Sequence, residues 1–195
     1  MNRYENTKKF IIEKLTTGLP ETLYYHGQHH VMDVLRAAEM IGEKEKITDH
    51  EMELLRVAVL FHDAGFIVNS KDHEKIGCDM VKQNLPGFGY TESEIETICG
   101  MIMVTKYPHY PKNLLEEIIC DADLDYLGRD DFFTIGNLLY RELRGSQSIS
   151  NEQEWNLLQE KFLSSHSYFT STSKKLRNAK KEEHLNQIRQ LVKSI

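Results

Sequence analysis

The segment VAVLFHDAGF, residues 57–66, places the hardest condition on any fold this chain can adopt. Leu54, Leu55, Val57, Ala58, Val59, Leu60 and Phe61 mark an interior stretch, and it closes on His62 and Asp63. A carboxylate taken out of water without a partner costs several kcal/mol or more. A fold that buries this stretch must therefore bring a compensating charge to Asp63 from elsewhere in the chain. Gly65 follows as a helix stop.

Around that segment apolar residues recur at helical spacing, interrupted by only 4 prolines and 11 glycines in 195 residues. The pattern predicts helices at about 3–16, 28–43, 48–63, 71–84, 91–105, 111–127, 131–144, 151–169 and 172–193. Thr48 with Glu51, and Thr91 with Glu94, have capping-box spacing just ahead of apolar periodicity. Sustained strand alternation is absent. The expected fold is all-α, one helical domain over 1–195, with the helices beyond about 130 layered over the first part.

Hydrophobic residues at 40%, charged residues at 28% and a mean hydropathy of −0.50 describe a soluble chain. The longest apolar run, 57–61, falls far short of the ~20 residues that span a bilayer. No secretion signal is visible at the start of the chain. Cys78, Cys99 and Cys120 form an odd set without C-x-x-C spacing, which predicts buried free thiols in a reducing compartment. A cytoplasmic location and no membrane partner are the expectation. The net charge of −6 makes broad nucleic-acid binding unfavourable. The late basic run SKKLRNAKKEEH, 173–184, reads as the solvated face of a helix.

Three stretches carry candidate chemistry. In TLYYHGQHHVMDVL, 22–35, His30 sits one turn before Val34 on the edge of an apolar stripe, while His29 falls on the polar side. His26 precedes His30 by four residues, one turn away if the helix begins early enough. The second stretch is the His62–Asp63 pair, where a divalent cation would neutralise the carboxylate and take the imidazole as a nitrogen donor; a metal-free hydrogen-bonded pair is the alternative. In the third, EEIICDADLDYLGRDDF, Asp121, Asp123 and Asp125 all lie off the centre of the stripe formed by Leu115, Ile118, Ala122 and Tyr126. Periodicity leaves open which aspartate turns inward.

Taken in this order, H…HD…D opened by YHGQHH, the residues resemble the HD superfamily of metal-dependent phosphohydrolases over roughly 22–130. The resemblance implies a helical bundle of the HD-domain type, with the core at about 22–130 and C-terminal helices at about 131–195. It implies one divalent ion, of Mn, Fe, Ni or Mg type, held by His30, His62, Asp63 and a late aspartate. That aspartate is carried over as Asp123, which follows alanine as in the family, with Asp121 its competitor. Two imidazoles and two carboxylates would leave open positions for water and a phosphate oxygen. The implied reaction is attack of metal-activated water on phosphorus, with Asp63 in the catalytic set and His26 as the proton donor.

The expected partner is a small phosphorylated molecule, in the first instance a nucleotide, and a homo-oligomer is compatible with the sequence. Lys106, in MVTKYPHYP, and Arg129 are candidate phosphate contacts. His73, beside Glu74, is a candidate for substrate binding or a second metal. His166 and Tyr168 are read as lying on a helix, from which they either reach the pocket or pack. A catalytically silent metal- or nucleotide-binding module used in signalling is the alternative function.

Overall fold

A computed structural model describes residues 2–193, and within these residues every regular element is helical. The long helices are α1 (Arg3–Gly18), α2 (Gln28–Glu45), α3 (Asp49–Phe61), α4 (His73–Asn84), α5 (Glu92–Val104), α6 (Leu114–Asp123), α7 (Phe132–Gly145), α8 (Glu152–Ser165) and α9 (Ser171–Lys193). The all-α expectation is met. Both capping boxes form: Thr48 and Thr91 accept from the backbone N–H of Glu51 and Glu94, whose carboxylates return to the cap.

The apolar run in α3 is buried along its whole length, with Leu55 and Val57–Phe61 at 0% exposure. Helices α1, α2, α5 and α6 surround it, and their apolar faces form one continuous core with it. All three cysteines are buried and free. A second apolar cluster joins Tyr25, Leu124, Tyr126 and Leu127 to Phe132, Leu163, Leu185 and Ile188 of the C-terminal helices. Those helices therefore close over the face of the first layer that carries His30.

Three helix ends differ from the periodicity, and each difference shapes the site. The helix predicted over 48–63 stops at Phe61; His62 is its C-cap and Ala64–Ile67 form a 3-10 turn. Gly65, read from the sequence as a helix stop, instead lets that turn press against the start of α4. A Cβ at this position would lie 2.0 Å from the His73 carbonyl oxygen. Gly65→Ala should therefore force two backbones apart and destabilise the protein by about 3 kcal/mol. A fall in Tm of roughly 6–12 °C is expected in a thermal melt, and an unchanged Tm would refute the close approach.

The helix predicted over 111–127 stops at Asp123, and a 3-10 turn spans Asp125–Gly128. The helix predicted over 151–169 stops at Ser165. His166 and Tyr168 thus lie between α8 and α9 rather than on a helix, and neither lines the main cavity. The Tyr168 hydroxyl donates to the Leu124 carbonyl at 3.1 Å. His166 accepts at Nδ1 from Lys181 Nζ at 3.3 Å, and the same ammonium donates to the His166 carbonyl. Burial and the Lys181 charge together push the His166 imidazole down to about 3, so the ring is neutral.

The basic run is not simply a solvated face. Lys181 is buried, and Arg177 grips Asp125 through two contacts of 2.7 and 3.0 Å.

Candidate metal centre and cavity

His30 projects from the first turn of α2, where Gly27 is the N-cap. Its Nε2 lies 3.0 Å from Asp123 Oδ1 at the last residue of α6 and 3.5 Å from Asp63 Oδ2. His62 Nε2 lies 3.3 Å from Asp63 Oδ2 and 3.6 Å from Asp123 Oδ1. Two adjacent residues can converge because the α-helix has ended at Phe61: Asp63 has left helical geometry with φ −103° and ψ 3°. The second imidazole, His30, and the second carboxylate, Asp123, arrive from α2 and α6, about 30 and 60 residues away in sequence.

The geometry suits a cation. One donor atom from each of His30, His62 and Asp123 falls within 4.8 Å of the others. Asp63 Oδ2 borders both imidazole nitrogens. His62 Nδ1 pairs with the Val59 carbonyl at 2.7 Å, and donation there leaves the Nε2 lone pair facing the cluster. Both His62 Nε2 and Asp63 Oδ2 are buried without a hydrogen-bond partner. Buried polar atoms of this kind demand an explanation, and a shared ion is the one their donor types fit.

Electrostatics point the same way. Burial drives the His62 pKa down, but the Asp63 and Asp123 carboxylates outweigh it and raise the value well above that of a free imidazole. Burial drives Asp63 and Asp123 up, but the facing histidines leave both below the usual carboxylate range. The pocket thus favours positive charge between its carboxylates.

Asp121 and Asp125 have other work. Asp121 is fully buried and accepts from the Phe169 and Thr170 backbone N–H groups, both at 2.8 Å, and from Thr170 Oγ1 at 2.7 Å. Thr170 in turn accepts from Ser173 N at 3.1 Å at the start of α9. Asp121 therefore fastens the C-terminal layer and faces away from the imidazoles.

His26 lies just before α2, not on it, and its ring meets His30 edge-on at 6.1 Å between centroids. It stacks on Phe66 at 4.4 Å and lines the cavity. Its partner went unrecognised in the sequence: Glu142, on α7, accepts from His26 Nδ1 at 2.5 Å and from the Tyr25 and His26 backbone N–H groups at 2.8 and 3.1 Å. Burial lowers the His26 pKa, but the Glu142 hydrogen bond, followed by Asp63 and the other nearby carboxylates, leaves it raised. A signal for Glu142 was present. It continues the spacing Ile135, Leu138, Leu139, which places a carboxylate on the buried stripe of α7.

His73 also lines the cavity, with Nε2 3.5 Å from Asp63 Oδ1 and 3.6 Å from Glu74 Oε1. Lys106 does not line it; the ammonium reaches Asp72 at 2.8 Å in solvent. Arg129 is outside it as well. Its guanidinium is shared among Asp33 and Asp131, both at 2.8 Å, and Asp125 at 3.4 Å. The sequence-based expectation that these two cations face the substrate meets an arrangement in which both are already paired.

The cavity that opens from the cluster holds about 390 Å³ and runs between the first layer and helices α7 and α8. An all-helical bundle gathers His30, His62, Asp63 and Asp123 beside such a cavity and so defines a helical fold with a site able to hold a divalent ion. The HD domain family model matches residues 27–125, and the chain belongs to that family.

Similar solved structures extend beyond the matched segment. A predicted HD superfamily hydrolase from an uncultured Thermotogales bacterium superposes with a TM-score of 0.65 at 15% identity, covering 99% of this chain and 93% of its own. A Lactobacillus plantarum protein gives 0.64 at 15% identity, covering 99% and 98%. Bacillus subtilis YpgQ, in complex with ADP, gives 0.60 at 20% identity, covering 97% of each chain. A search of curated proteins gives no match to the sequence. Among the described residues no helix is long and apolar enough to cross a membrane.

Proposed function

We propose that the chain is a metal-dependent phosphohydrolase acting on a small phosphorylated molecule. The observation that carries this reading is the convergence of His30, His62, Asp63 and Asp123, with orphaned buried atoms on His62 and Asp63, at the end of a ligand-sized cavity. The nucleotide bound by the Bacillus subtilis neighbour supports nucleotides as the first class to test.

His30 Nε2, His62 Nε2 and carboxylate oxygens of Asp63 and Asp123 would hold one divalent ion. Such an ion supplies Lewis acidity toward a phosphoryl oxygen and makes water a nucleophile at neutral pH. The chain's own residues provide the rest. Asp63 Oδ1, the oxygen turned toward His73, is placed to accept a proton from the attacking water. His26, held by Glu142 through Nδ1, keeps Nε2 to donate a proton to the departing oxygen. Helices α7 and α8 cover the cavity and limit the access of bulk water to the reacting group.

The test is a screen of purified protein, stripped of metal and then loaded with Mn²⁺, Fe²⁺, Ni²⁺ or Mg²⁺, against nucleoside mono-, di- and triphosphates, cyclic nucleotides and aryl phosphates. Metal-dependent release of phosphate or pyrophosphate from at least one class is expected, and removal of the metal should abolish it. Metal binding seen by calorimetry without turnover of any compound would instead favour a silent binding module.

A further inference from the structure

The cavity changes character along its length. At the cluster end its wall carries His26, His73, Asp63, Glu74 and Asp123. Away from it the wall becomes mainly aromatic and aliphatic, with Thr105 and His109 as polar side chains beside Tyr107. From His30, ring centroids step outward to Tyr25 at 4.5 Å, on to Tyr126 at 5.8 Å and on to Phe132 at 6.2 Å. Tyr107 and Phe162, 5.2 Å apart, face the same space with Trp155, Leu158 and Leu163. Gln159 is the one amide in this outer part of the wall among the described residues.

The distribution of cations is equally uneven. Among the described residues no lysine or arginine lines the cavity. Lys106, whose chain neighbours Thr105 and Tyr107 both line it, turns its ammonium to Asp72 in solvent. Arg129 and Arg177 are committed to Asp125 and its neighbours, and Lys181 to His166. Three carboxylates at the cluster end already claim much of the charge of a bound divalent ion. His26 is reserved for the leaving oxygen, and beyond His73 and His109 a second phosphoryl group would extend its negative charge along a mainly apolar wall with no guanidinium or ammonium to receive it, which a low-dielectric cavity penalises. Recognition of a polyphosphate calls for fixed cations of that kind.

We infer that the substrate is a phosphate monoester whose alcohol carries a bulky, flat and largely apolar body: the phosphoryl group sits at the His/Asp cluster and the body lies along the Tyr126, Phe132, Phe162 and Trp155 wall. This rests on the phosphohydrolase reading and narrows its substrate, setting nucleoside di- and triphosphates behind aromatic monoesters. Water cleaves the P–O bond, the alcohol leaves with one proton, and inorganic phosphate is the second product.

Two measurements on the metal-loaded protein test it. In the first, kcat/KM is compared for 1-naphthyl phosphate, glycerol phosphate and ADP. The naphthyl ester should exceed each of the others by about tenfold or more, the scale on which apolar pockets discriminate. ADP or glycerol phosphate matching it overturns the inference and leaves the phosphohydrolase reading intact. Failure to turn over any of these and every other phosphorylated compound overturns both. The second measurement uses Trp155, the single tryptophan of the chain. Its emission should change saturably on addition of benzylphosphonate, whose C–P bond resists hydrolysis, and not with methylphosphonate. An emission blind to benzylphosphonate overturns the placement of the apolar body.

Discussion

Asp123→Asn should lose metal-dependent turnover, and its divalent-metal affinity should fall by at least about a hundredfold, the upper range seen when only an outer partner of a ligand is removed. The carboxylate oxygen 3.0 Å from His30 Nε2 carries the negative charge that makes the pocket favourable for a cation. An amide keeps the shape and removes the charge. The informative comparison is Asp121→Asn, two residues away on the same helix. Asp121 accepts three hydrogen bonds from Phe169 and Thr170, and an amide in its place turns a donor toward N–H groups. That variant should keep its metal affinity and lose about 1–3 kcal/mol of stability, read as a lower Tm with α9 loosened. Calorimetric metal titration and a thermal melt on both variants decide the matter. Weakened metal binding in Asp121→Asn, with normal binding in Asp123→Asn, would exchange the two roles.

The second large effect is expected at Glu142. Glu142→Gln should lower kcat by about a hundredfold or more, within the usual range for general acid–base groups, while the metal titration stays as in the native chain. Glutamine can still accept from the Tyr25 and His26 backbone N–H groups, so the loop keeps its shape. What it loses is the negative charge on His26 Nδ1. Glu142, Asp63 and Asp123 all raise the His26 pKa against the opposing effect of burial. Removing Glu142 lets the proton leave at lower pH, so the alkaline limb of the rate profile should move toward acid. A variant with full kcat and an unmoved limb would leave Glu142 a purely structural residue.

The same pair contributes to stability over a defined pH window. The Glu142 hydrogen bond to His26 lowers the carboxyl below its usual 4.5, despite burial pushing the other way, and the His26 value is raised above 6.5. A raised imidazole stabilises fully below pH 6.5, and the contribution disappears as pH climbs through the folded value. A lowered carboxyl stabilises fully above pH 4.5, and that contribution disappears as pH falls through the folded value. The pair thus contributes most between about pH 4.5 and 6.5. The stability difference between native protein and Glu142→Gln should be widest there and should narrow at alkaline pH.

Local order along the chain fixed much of this architecture. The apolar spacing of α1 through α9, the two capping boxes and the burial of the apolar residues within 54–61 follow from side-chain type and a 3.6-residue period. The need for partners at His62 and Asp63 was likewise visible, because a buried charge demands compensation wherever it sits. Periodicity could not choose among Asp121, Asp123 and Asp125. The helix holding the first two breaks at Asp123, and a wheel drawn through the break assigns false faces.

Pairings distant in sequence were settled by packing. The docking of α9 claims Asp121 through Thr170 and Asp125 through Arg177, leaving Asp123 to face the imidazoles. The fold of α7 over the loop before α2 brings Glu142 to His26 across 116 residues. The side-chain types and the helical period are properties of neighbouring residues, so the sequence alone determines them. Which carboxylate meets which histidine depends on how helices far apart in the chain lie against one another, and only the tertiary structure decides it.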